Sequence, residues 1–258
     1  MNDKLKEIYE LNGSLLQLAE NLYDELFIKR GITPSEDLAL LRFFFIKAYK
    51  TAKAVVFLFQ EGYPEDAFVL VRTIFEILVN SCYVFESDST KRARAFENYG
   101  KFRRKNKIEI VIDLYRKKMI ENKEFEEELK KLEAECNNLE KDYQISEAKA
   151  LWHNKNLEDR SRDVGLVDLY NTLYHMCSLY CHSSWASSRS FFFETDKGWF
   201  FGIKPDSDEE LSELVLISLF DLFIRMVQEF DHRFELGYQN KISDLRNSLQ
   251  NLCTNRIM

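Results

Sequence analysis

The chain has 258 residues, 45% of them hydrophobic, and no Pro/Gly/Ser-rich linker, so it can bury a large core as one domain. Only 8 Gly and 3 Pro leave too few turn residues for a many-stranded protein, which excludes an all-β fold and predicts an all-α one. A net charge of -7 excludes a generic nucleic-acid coat but leaves room for a local basic patch.

In chain order, an amphipathic, acidic helix is predicted over about residues 3–29, broken by Gly31 and Pro34. It lacks the charged start, apolar run and cleavage site of a secretory signal. A second helix spans about 36–60 and stops at Gly62. Pro64 fits the first turn of a third, where its missing N–H is no loss, and Glu65 and Asp66 suit the positive end of the helix dipole. Ser87 to Thr90 restart the chain as a polar helix in which Lys101, Arg103, Arg104, Lys105 and Lys107 concentrate positive charge. Over about 122–148, Phe125, Leu129, Leu132, Cys136, Leu139 and Tyr143 alternate in steps of four and three, the spacing of a narrow coiled-coil seam. A loop is predicted around Trp152 to Val164, followed by a helix over about 166–186. Aromatic runs on both sides of Asp196-Lys197-Gly198 predict a short β-hairpin. Ser207 and Asp208 cap a last long helix that closes the bundle.

The expected architecture is therefore a single-domain, all-α helical bundle over 1–258, with one short β-hairpin. Its core lies at about 36–86 and 166–252, and a protruding helical hairpin is inserted at about 88–148. The longest apolar runs fall short of the roughly 20 residues that span a bilayer. Five scattered cysteines, three of them in apolar segments, fit a reducing compartment. A soluble, cytoplasmic protein without a membrane partner follows as an expectation.

Two apolar helices each carry a line of polar groups, and burying such groups is costly without partners. Arg72, Glu76 and Asn80 recur at intervals of four and so share one face. An Arg–Glu pair there is either a structural register device or a phosphate contact, since the guanidinium is a planar fork of donors that Glu76 can orient. His175, Ser178 and His182 form the second line. The two imidazoles are seven residues apart, about 10.5 Å along one face, a spacing able to flank a phosphodiester with a base and an acid. Cys177 and Cys181 share a different face from the histidines, so the four do not converge on zinc; no metal or other cofactor is expected. Arg103, Arg104 and Lys105 are either a solvated helix face or a phosphate-tracking surface beside the stacking rings of Tyr99 and Phe102. Gly-rich phosphate loops, HExxH and GxSxG are absent, which excludes the common nucleotide hydrolases and α/β-hydrolases.

Gly62, Ala67, Arg72 and Glu76, followed by Trp152, Leu169, Tyr170, Tyr174, Ser178 and His182, occur in the order and spacing of a bacterial family of unknown function, DUF5677. The chain resembles that family over about residues 38–190. The family commonly places Arg after the Tyr, giving an Arg-x6-His pattern similar to the active site of the HEPN helical RNases. Here His175 stands in that place. The resemblance implies a metal-independent endoribonuclease of phage-defence or toxin type that binds RNA at a homodimer cleft. His182, His175, Arg72 and Glu76 would be catalytic, and Asn80, Tyr174, Ser178, Arg103, Arg104 and Lys105 would hold substrate. Two other expectations compete with it: a non-catalytic module docking a protein partner through the 122–148 helix, and a binder of a small anionic or nucleotide ligand.

Overall fold

A computed structural model describes residues 2–29, 36–118, 123–142, 155–182, 184–195, 198–201 and 208–254. Its contacts divide the chain into two compact units, residues 1–83 with 161–258 and residues 84–160. Both are helical, and the fold is all-α.

In the first unit, α1 (Asp3–Tyr23) begins where the Asn2 side chain accepts the Leu5 N–H, and it runs into a π-helical segment, Asp24–Lys29. The remaining helices are α2 (Glu36–Gln60), α3 (Pro64–Glu86), α9 (Glu209–Phe234) and α10 (Gln239–Thr254). α9 packs against α1, α2 and α10. Phe44, Phe45, Phe220, Phe223 and Phe230 fill this core with fully buried rings, each worth roughly 1.5–3 kcal/mol relative to exposure. One polar group crosses it. Asn12 is 2% exposed and its Nδ2 donates to the Ile8 and Leu216 carbonyls at 3.0 and 3.1 Å, tying α1 to α9.

α3 is the helix that positions the site. Among the described residues it is long and apolar enough to cross a membrane, yet Phe68, Val71, Ile74, Phe75, Leu78 and Val79 are buried inside the protein. A helix apolar nearly all round is a core helix when its faces are covered in this way.

The chain departs from the sequence-based elements in three places. The segment expected to be a loop contains α6 (Leu157–Asp163), because Asn156 and Asp159 cap it reciprocally: the Asn156 side chain accepts the Asp159 N–H at 2.8 Å, and Asp159 accepts from Asn156 at 3.4 Å. The histidine-bearing helix is not continuous to residue 186. It comprises α7 (Val167–Leu169), a π-turn (Tyr170–Tyr174) and α8 (His175–Cys181), and a 3-10 segment follows at Trp185–Phe191. The last expected helix, α9, is followed by a further one, α10, because Glu235 and Gly237 take left-handed conformations (φ 49° and 82°) and the buried Asp231 carboxylate accepts the Tyr238 N–H at 2.7 Å. Between these parts, β1 (Phe192–Thr195) pairs antiparallel with β2 (Gly198–Phe201), Thr195 opposite Gly198; Asp196 and Lys197 lie outside the described residues.

In the second unit, α4 (Ser89–Lys118) and α5 (Lys123–Asp142) pack together. The coiled-coil seam of α5 faces inward: Cys136, with Leu129, Leu132 and Leu139 partly covered, meets Ile108 and Ile112 of α4. Tyr143 lies outside the described residues. Replacing Ile112 by Ala should therefore destabilise this unit by about 2–4 kcal/mol. Hydrogen exchange on the whole chain should then show faster exchange across 108–117 and 126–139, and unchanged protection there would refute the packing.

Candidate functional site

Arg72 sits mid-way along α3 with its side chain 19% exposed, and each of its nitrogens has a direction. Nε donates to Glu76 Oε1 at 3.2 Å, one turn along the same helix. Nη2 donates to the Tyr174 hydroxyl at 2.7 Å, and the guanidinium carbon lies 4.6 Å from the Tyr174 ring centre. Nη1 faces His182 Nε2 at 3.5 Å. A guanidinium only donates, so this contact is favourable when Nε2 carries its lone pair and the imidazole proton is on Nδ1. At 3.5 Å it is a weak contact, readily exchanged for a ligand oxygen.

The charge states follow from the surroundings. Burial opposes the Arg72 cation, but the Tyr174 oxygen and Glu76 outweigh it, and the pKa is raised above the ordinary arginine value. Burial, reinforced by Glu76, also lifts the Tyr174 phenol above its ordinary value against the pull of Arg72. Tyr174 therefore keeps its proton at neutral pH while its oxygen accepts from Arg72. Glu76 is 41% exposed, so the Arg72–Glu76 pair contributes about 0.5 kcal/mol or less and mainly fixes direction.

Tyr174 reaches Arg72 because of the π-turn. One extra residue per turn at Tyr170–Tyr174 shifts the phase of everything after it. Tyr170 and Tyr174 stack at 5.0 Å and 16°, and Phe75 of α3 packs on both rings. Ser178 Oγ donates to the Tyr174 carbonyl at 2.7 Å, so this predicted substrate contact instead supports the turn. His182 is the C-terminal cap of α8, with φ −99° and ψ 15°, and is exposed.

The predicted residues thus fall into groups. Arg72, Glu76, Tyr174 and His182 come together. His175 is exposed and set edge-on to Tyr170 at 4.9 Å and to Tyr174 at 5.9 Å, on the aromatic pair and not on the guanidinium. Asn80 turns its Oδ1 inward, buried and without a hydrogen-bond partner among the described residues. In the other unit, Arg104 is paired with Glu135 and Lys105 with Glu109, while Arg103 is exposed. Cys177 is fully buried with its thiol against the Arg72 main chain, whereas Cys181 is exposed, so the two do not converge with the imidazoles. Tyr170 joins the site without any charge to mark it; its i, i+4 spacing from Tyr174 is the signal in the sequence.

A family model described as a family of unknown function (DUF5677) matches residues 38–198. The chain belongs to DUF5677. No curated protein and no solved structure matches it. The DUF5677 span contains Arg72, Glu76, Tyr174 and His182, whereas α1, α9 and α10, which close the core around α2, lie outside it.

Two measurements check this geometry. Tyr174→Phe removes the acceptor of a charged hydrogen bond and should lower urea-unfolding stability by about 1–3 kcal/mol; an unchanged midpoint would contradict the bond. Burial pushes the Cys82 and Cys177 thiols up to about 12, so at pH 8 only about one in ten thousand of each is thiolate. Iodoacetamide should alkylate the exposed Cys181 and Cys253 first, and early labelling of Cys177 would show that α8 does not lie against α3 as described.

Proposed function

We propose that this DUF5677 protein is a HEPN-like, metal-independent endoribonuclease of the kind used in phage defence or as a toxin-type effector. The observation that carries the reading is the pairing of an exposed imidazole with a braced guanidinium, Arg72 Nη1 and His182 Nε2 at 3.5 Å. The departure at His175 from the Arg-x6-His pattern is offset by this arrangement, since the cation reaches His182 from α3 instead of from about two helix turns upstream.

The chemistry needs a base and positive charge in fixed positions. A phosphate entering at Nη1 takes over the donor that faces His182, leaving the Nε2 lone pair free. Nε2 then removes the proton of the ribose 2′-OH, whose oxygen attacks the adjacent phosphorus. The bond to the 5′ oxygen breaks, and that oxygen takes a proton from solvent at this exposed site. The products are a 2′,3′-cyclic phosphate and a free 5′-hydroxyl. Arg72 balances the charge that develops on the phosphoryl oxygens, and Glu76 and Tyr174 keep its fork from rotating. His175, beside Tyr170, is available at the rim as a further phosphate contact.

A second reading, a non-catalytic partner-binding module, draws on the other unit. The α5 seam is taken up by α4, but Ile110 and Leu114 of α4 are 61% and 51% exposed, a larger apolar display than a solvated helix needs.

Incubation with mixed RNAs in EDTA separates the two. Cleavage to cyclic-phosphate ends is expected, with a loss of about a hundredfold or more in His182→Ala and at least about tenfold in Arg72→Lys, which keeps charge but loses the fork. Uncut RNA, or cutting that survives His182→Ala, would overturn the assignment. Loss of cellular activity in Ile110→Asp with Leu114→Asp, alongside a fully active His182→Ala, would favour the module.

A further inference from the structure

The polar face of α3 extends further than the Arg72–Glu76–Asn80 line. Glu65, Val69, Arg72 and Glu76 recur at steps of four, three and four, and all are half-buried. Seven residues, about 10.5 Å, separate Glu65 from Arg72 along this face. At the Glu65 end a cavity of about 390 Å³ opens between the start of α3, the end of α8 and the 3-10 segment, within the usual range of about 300–1,000 Å³ for small-ligand sites. Glu65, Asp66, Val69, Tyr180, Trp185 and Phe191 line it. Acidic residues in a first helical turn need no ligand to explain them. The aromatic wall is different: Trp185 is 76% exposed and Phe191 is exposed beside it, in a protein whose other large rings mostly fill the core. Tyr180 is fixed at the back by an edge-on contact with Phe68 at 5.5 Å and a hydrogen bond with Ser190 at 3.1 Å. Neither Glu65 nor Asp66 is held in an ion pair among the described residues.

An aromatic-walled cavity with carboxylates in its lining, about two helical turns from a guanidinium, is matched by a ligand that has a planar donor-bearing ring at one end and an anion at the other. We infer that the cavity holds a guanine base whose phosphate lies against Arg72, which makes this a guanine-selecting subsite of the RNA-binding site. The inference rests on the proposed ribonuclease reading for the identity of the polymer. Guanine presents two adjacent donors, N1–H and the N2 amino group, to the two oxygens of one carboxylate. Adenine and cytosine offer one donor beside an acceptor, and uracil offers one donor flanked by two carbonyls that a carboxylate repels. Trp185 and Phe191 supply stacking surface that any base can use, so Glu65, the half-buried carboxylate of the lining, provides the discrimination. The distance from Glu65 to Arg72 along α3 suits a nucleotide measured from its base-pairing edge to its phosphate. A lone organic cation would satisfy the carboxylates and the rings but would make no use of the guanidinium further along the same face of α3.

Calorimetric titration of the whole protein with non-cleavable dinucleotides tests this, the first sugar being 2′-deoxy and its base varied among guanine, adenine, cytosine and uracil, with tetramethylammonium as the competing cation. The guanine dinucleotide is expected to bind at least tenfold tighter than the other three. Glu65→Gln should abolish that preference, and Trp185→Ala, at an exposed position, should weaken all four at least tenfold while leaving the circular dichroism unchanged. Equal binding of all four, binding of none, or a Glu65-dependent tetramethylammonium site that excludes the guanine dinucleotide would overturn the inference. Guanine preference without cleavage of any RNA would defeat the ribonuclease reading and leave the subsite standing. Cleavage with no base preference would do the reverse.

Discussion

The organisation of the site depends on how one cation is held half-inside an apolar helix. A guanidinium in such a place needs several acceptors, and Arg72 finds one on its own helix and one across the interface with the π-turn. Those two bonds remove its freedom to rotate, and the third nitrogen is consequently aimed at His182. Without Tyr174 the fork would keep only its exposed and weak pair with Glu76. The charged hydrogen bond to a neutral phenol, kept protonated by burial, thus fixes both α8 on α3 and the direction in which a ligand would be met.

That arrangement is supported from behind by packing. Phe75 presses on Tyr170 and Tyr174, Phe68 on Tyr180, and Cys177 on the main chain of Arg72, so the helix that carries the histidines rests on apolar residues interleaved with the polar line of α3. The π-turn is what brings these contacts into phase. An unbroken α-helix from residue 166 would carry Tyr174 and His182 round by a different angle, because the extra residue at 170–174 displaces all later positions by about 100° of helix rotation. Ser178, by donating to the Tyr174 carbonyl, supports that bulge.

The second unit follows a simpler rule. A four-three apolar spacing on an otherwise charged helix must be covered, and α4 covers it with Ile108 and Ile112. The positive charge that is so conspicuous along α4 in the sequence is in large part matched by carboxylates: Arg104 by Glu135, Arg116 by Glu133, Lys101 by Glu97 and Lys105 by Glu109. Neutralised in this way, the run offers a polyanion less than its composition suggests.

The helices themselves were legible from local chemistry: Pro64 at a first turn, Asp208 as a cap, Gly62 as a stop, and an apolar pattern dense enough to mark α3 as central. The Arg72–Glu76 pair was legible too, because both partners lie on one helix and spacing alone sets their proximity. The Asn156–Asp159 capping box and the break at Gly237 were also written in the residues, though their short motifs are easily outweighed by the polarity around them. Tertiary structure alone decided the rest. Which of two histidines meets Arg72 depends on the π-turn and on the packing of Phe75, and neither leaves a periodic trace. Asn12 gave no sign that it bridges two helices whose sequences are 204 residues apart. Spacing governs contacts within a helix, whereas contacts between helices are set by the rotation of each rod about its axis, and only the packed core fixes that angle.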